Sequence, residues 1–197
     1  MKYLRIPALL AVVVAAMALP ATASADSATA PSGTLYTGSV SAANEGAITI
    51  HGVVDITCSN SSMSGSVATH GSGVLVWVPF NSLTFTNCNQ HVKVLAGGGL
   101  TFNQFGSGGN AIVESEEAEI TVQITSIFGN VHCYFGTRIL GTPIGTLTGA
   151  ASNSDHATLD LSGFLEVLGG SSFLCGSSAE WTGNYKFNSP TGLRVDS

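Results

Sequence analysis

Basic side chains are scarce in this chain, which carries 6 Lys and Arg against 12 Asp and Glu in 197 residues. Proteins that track phosphates need clustered cations, so nucleic acid is not an expected partner. Charge of either sign is rare as well, at 9% of residues against about a quarter in an average soluble domain. Disorder does not follow, because disordered chains combine high charge with low hydrophobicity and this one is 44% hydrophobic. The apolar run from Ile6 to Leu19 falls short of the ~20 residues that a membrane-spanning helix requires.

That run instead fits a secretory signal. Met1-Lys2-Tyr3-Leu4-Arg5 is a short basic start, and Ala23-Ser24-Ala25 is a small-residue cleavage site. The expected division is a signal peptide at 1–25, a flexible lead-in at 26–33 and one secreted domain at 34–197, with no transmembrane anchor in the mature form. Cleavage leaves Lys93, Arg138, Lys186 and Arg194 as the only bases, and four bases minus twelve acids give a formal charge of −8.

Catalytic and metal-binding templates are also missing. There is no Gly-x-Ser-x-Gly elbow and no His-Glu-x-x-His pair. His51, His70, His91, His132 and His156 are scattered and read as surface imidazoles. A triad of His51, Asp55 and a distant Ser can be imagined, but one sequence cannot show convergence in space. Zinc needs cysteines at short spacing, and Cys58, Cys88, Cys133 and Cys175 are far apart. No catalytic residue, metal or cofactor is expected, and the protein reads as non-enzymatic. A secreted hydrolase is the less favoured alternative.

In an oxidising compartment four separated cysteines read as two disulfides. Of the three pairings, Cys58 with Cys88 and Cys133 with Cys175 is preferred, because each ties a strand to one a few elements later.

What the chain does have is period-two alternation, which a half-buried antiparallel strand requires. Ile48, Ile50, Val54, Ile56 and Cys58 share one face of the clearest segment. Similar runs occupy Val74 to Phe80, Ser82 to Cys88, Val92 to Leu95, Ala118 to Phe128, Val131 to Phe135, Thr158 to Leu168 and Glu180 to Phe187. Breakers such as Gly97-Gly98-Gly99, Gly141-Thr142-Pro143 and Gly169-Gly170-Ser171-Ser172 separate them. A short helix competes only over Ile112 to Ile120. The pattern predicts one all-β domain, a β-sandwich of Ig-like or jelly-roll-like type with nine to eleven strands and two disulfides.

Two constellations remain. Glu114, Glu116, Glu117 and Glu119 read as a solvated acidic hairpin rather than a calcium site, which needs six to eight oxygens. Trp77, Trp181 and Tyr185 could line a groove for a carbohydrate or apolar ligand; Trp181 and Tyr185 stand four apart on one strand face, a spacing that core packing also produces.

Asp55-Ile56-Thr57-Cys58, Ser82-Leu83-Thr84-Phe85-Thr86-Asn87-Cys88 and the stretch from Ala179-Glu180-Trp181-Thr182-Gly183-Asn184-Tyr185 to Pro190 resemble small secreted bacterial proteins of uncharacterised function, some named activators of alkane oxidation. The resemblance implies a surface-exposed or matrix-associated factor acting near hydrophobic substrates, and it supplies no mechanism. The expected function is that of a secreted extracellular or cell-surface structural or interaction protein. It would associate with itself or a cell-surface partner by edge pairing, with residues 26–33 and Leu35 to Val40 adding a strand to a neighbour. The alternative is a binding module that uses the three aromatics.

Overall fold

The computed structural model describes residues 27–29, 35–68, 76–105, 108–127, 129–137 and 141–196. The expected signal peptide and His70 lie outside them. The chain runs through β1 (Ser27–Thr29), β2 (Ser39–His51), β3 (Ile56–Ser66), β4 (Val76–Cys88), β5 (His91–Ala96), β6 (Gly99–Gln104) and β7 (Ala111–Glu116). It continues through β8 (Glu119–Ser126), β9 (Gly129–Gly136), β10 (Thr142–Thr148), β11 (Thr158–Val167), a single 3-10 turn at Phe173–Cys175, β12 (Ser178–Ser189) and β13 (Arg194–Asp196).

Alternation dictates these strands. In β11, Leu159, Leu161 and Leu165 are buried while Asp160 and Phe164 face out. The clearest sequence segment proves to be two strands, because Gly52 to Asp55 turn the chain between β2 and β3. Ile48 then pairs with Cys58 and Ile50 with Ile56, so four of the five residues read as one face still share a buried face, across a hairpin. Val54 sits in the turn and is exposed.

The expected sandwich is replaced by a barrel. Strands β10, β7, β6, β4, β3, β2, β12 and β11 are hydrogen-bonded in that order, and β10 pairs again with β11 to close an eight-stranded ring. Closure requires two backbones to meet closely, and glycine permits it. A Cβ on Gly145 would lie 1.9 Å from the Asp160 carbonyl oxygen, and one on Gly163 would lie 2.4 Å from Ile144 Cα. A sandwich keeps free edges; this seam leaves neither β10 nor β11 as one.

Beyond the seam β11 leaves the ring. Its end, Glu166 and Val167, pairs with β9, and β9, β8 and β5 extend the same sheet. One face of this extension joins the core through Ile120, Val122, Cys133 and Phe135. At the other end of the ring β1 pairs with β13. Residues 27–29 of the expected lead-in are therefore a strand bound within the chain: Ser27 Oγ donates to the Asp196 carbonyl at 3.1 Å, and the Thr29 hydroxyl donates to the Asp196 carboxylate. Leu35 bridges to Thr29, and Tyr36 N–H donates to the Ala28 carbonyl. Strand β2 lies between β3 and β12, so it is an interior strand and not the edge expected from Leu35 to Val40.

The disulfides join Cys58 to Cys88 across neighbouring strands and Cys133 to Cys175.

Candidate functional site

The barrel interior is filled. Ala28, Val76, Val78, Phe102, Leu147 and Phe187 are among the side chains around a void of about 10 Å³, no more than one water needs. Strands β1 and β13 supply Ala28 and Val195 to this wall, so the end ladder packs against that end of the interior.

Two of the three candidate ligand-binding aromatics are inside. Tyr185 is 0% and Trp181 4% exposed, and their rings meet edge to face at 6.2 Å, with Phe85 5.7 Å from Trp181. Trp77 lies between inward-facing Val76 and Val78 on β4 and so points outward. There it covers Gly99, where a Cβ would come within 2.2 Å of the indole. Trp77, Trp181 and Tyr185 therefore do not line one groove, because strand alternation puts them on opposite sides of the barrel wall.

The Tyr185 hydroxyl meets Ser61 Oγ at 2.6 Å, and Ser61 Oγ donates to the Thr84 carbonyl at 2.8 Å. Burial pushes the phenol well above the usual tyrosine range, partly offset by Ser61 and by the nearby Trp181 indole. The indole N–H makes no hydrogen bond of ordinary geometry, so Ser61 is the effective partner. An unfolded tyrosine ionises near pH ~10, whereas folded Tyr185 keeps its proton beyond that. Its contribution to stability is thus complete below pH ~10 and is lost as pH rises further, by about 1.4 kcal/mol per unit. Urea denaturation between about pH 9 and about pH 11 should show this decline. Tyr185→Phe should flatten it while costing only about 1 kcal/mol at neutral pH.

His51 and Asp55 are brought together at the β2–β3 turn, where Nδ1 and Oδ1 are 3.0 Å apart and both side chains are solvated. No described serine is hydrogen-bonded to the ring. His91 and His132 are exposed, and His156 Nδ1 lies 2.7 Å from the Phe187 carbonyl oxygen. Among the described residues no three His, Cys, Asp or Glu side chains are grouped to hold a metal ion. Glu116, Glu117 and Glu119 surround the β7–β8 turn, with Glu117 at φ 54°. Thr101 Oγ1 donates to Glu116 Oε1 at 2.8 Å.

The surface carries two features that the sequence reading missed. The first is β5, which bonds β8 on one side and ends the sheet on the other. Strand β4 pairs with β6 only as far as Pro79, and β4 and β5, which follow each other in the chain, are not paired with each other. Near their turn they form an open hollow of about 580 Å³, lined by Phe85, Asn87, Asn89, His91, Gln123 and Thr125 among others. Val92 and Val94 pack on the core, whereas His91, Lys93 and Leu95 are exposed. The second is a set of exposed apolar side chains in turns: Ile127 at 94%, Phe173 at 91%, Val53 at 64% and Leu174 at 38%. Their signal was an apolar residue inside a Gly-Ser or hairpin turn, where polar residues are usual.

Comparison with known protein families, with curated proteins and with solved structures finds no match.

Proposed function

We propose that the protein is a non-enzymatic structural or interaction protein acting outside the cytoplasm, and that it self-associates through the free edge of β5. The observation that carries this reading is that the sheet, whose ring closes on itself where β10 pairs with β11, runs on beyond the ring and ends on β5. Unpaired N–H and C=O groups along a strand are a template for another strand. A filled interior supports work by surface contact over storage of a ligand inside. Two disulfides are compatible with an oxidising compartment, and among the described residues no helix is long and apolar enough to cross a membrane.

The edge is guarded lightly. Lys93, near its middle, is an exposed side chain of the kind that discourages uncontrolled pairing, and exposed Leu95 stands two residues on, where the register with β8 shifts between Val94 and Ala96. Sedimentation equilibrium over a wide concentration range should reveal association of the wild-type protein. Lys93→Val should strengthen it and Leu95→Lys weaken it, each roughly fivefold, as expected for about 1 kcal/mol per cross-strand pair. A strict monomer at high concentration, or variants that leave association unchanged, contradicts the reading.

A further inference from the structure

The end of the molecule formed by the β8–β9 turn and the Phe173–Cys175 turn belongs to neither the barrel interior nor the β5 edge. We propose that this end docks on the acyl surface of a zwitterionic lipid bilayer, with Phe173, Leu174, Ile127 and Val53 as the inserting side chains.

Three separate turns contribute to it. Phe173 and Leu174 border an open hollow of about 620 Å³ together with Asn130, Val131 and His132 of β9. The Cys133–Cys175 bridge fixes their turn against that strand. Ile127 lies at the β8–β9 turn, just beyond the Ser126–Gly129 and Thr125–Asn130 pairs that end the ladder. Val53 joins from the β2–β3 turn, where its Cγ2 lies 3.2 Å from the Cβ position of Gly176. Large apolar side chains gathered at one end are unusual on a water-facing surface.

Charge and shape select the occupant. Residues 120–137 and 167–179 contain no Asp, Glu, Lys or Arg, so these two segments offer nothing to an anionic headgroup or a charged protein. Phe173 and Ile127, at 91% and 94% exposure, project from turns. A rigid partner would need matching holes for such protrusions, whereas a fluid acyl layer fills around them. Ser171, Ser172 and Asn130 beside them place hydroxyl and amide groups at the level of the headgroups and water. The disulfide holds the Phe173 turn in place before contact, so little ordering entropy opposes insertion.

The test is co-sedimentation of the mature protein with phosphatidylcholine vesicles. Binding should be retained when salt is raised to about 0.5 M, because screening weakens only ionic contacts. Phe173→Ser and Ile127→Ser should each reduce the partition coefficient about tenfold or more, the factor that goes with withdrawing one large apolar side chain. Both side chains are solvated, so thermal unfolding of the variants should match wild type and exclude misfolding as the cause. Absence of binding, binding insensitive to both variants, or binding only to anionic vesicles at low salt overturns the proposal. So does a change in self-association with no change in vesicle binding, which would make a second copy the occupant. Leu95→Lys, which acts on the β5 edge, should leave vesicle binding intact and so separates this proposal from the self-association reading.

Discussion

Removal of the Cys133–Cys175 bridge, by Cys133→Ala together with Cys175→Ala, is expected to cost up to about 4 kcal/mol, most of a typical margin of stability. The bond spans 42 residues, and in the chain-entropy view a loop of that length confers roughly this much by restricting the unfolded chain. Its location adds to the effect. Strand β9 pairs with β11 over only two residues, and the rest of that edge is covered by the following loop. Leu168 N–H donates to the Tyr134 carbonyl at 2.8 Å, Ser172 N–H to the His132 carbonyl at 3.1 Å, and Tyr134 N–H to Ser171 Oγ at 2.8 Å. The bridge holds that loop in place of a strand. Urea denaturation at neutral pH measures the loss, and a cost under about 1 kcal/mol contradicts this account of how the extension is held.

Gly145→Ala is expected to destabilise by about 2–3 kcal/mol, the usual cost of forcing atoms into a packed site. The added methyl would stand 1.9 Å from the Asp160 carbonyl oxygen, so the clash is with backbone of the partner strand and no rotamer relieves it. Gly145 pairs with Leu161 at the start of the β10–β11 ladder, so the strand that must retreat is the one that closes the ring. Gly169→Ala is the matched control, because no atom lies within 4 Å of its Cβ position. Thermal unfolding of the two variants should differ clearly. Equal melting temperatures contradict a seam built on glycine.

Strand content was legible from alternation, and its limits have local causes. Ile48, Ile50, Ile56 and Cys58 announced a buried face, but period two continues through Gly52-Val53-Val54-Asp55 and hides the turn. Val74 to Phe80 and Ser82 to Cys88 looked like two strands because Asn81 breaks the pattern. In the structure Val76 to Phe80 and Ser82 to Cys88 both belong to β4, with a register shift between Phe80 and Ser82, which is how a bulge appears in a sequence. Strands β6 and β10 were masked by Gly99 and by Gly141-Thr142-Pro143, read as breakers although glycine also marks close strand approach. The barrel was illegible for the same reason. Closure depends on Gly145 and Gly163 each meeting the neighbouring strand across the β10–β11 seam, and no local pattern encodes that approach.

The aromatic site misled in a different way. Trp181 and Tyr185 were correctly placed on one face, but alternation says that two residues share a side without saying which side is inside. Trp77 alone carried the contrary hint, between two valines on β4. The acidic cluster was expected to be a solvated hairpin, but only Glu117 is exposed, in the turn that joins β7 to β8, and those two strands pair with other neighbours and not with each other.

The central claim, that a filled, closed barrel acts by contact through the edge of β5, is tested most directly by amide hydrogen exchange of the wild-type protein at low and high concentration. Protection confined to His91–Ala96 and rising with concentration, with β3, β12 and the other ring strands unchanged, is the predicted result. Exchange in β5 that is independent of concentration while the protein associates would contradict it.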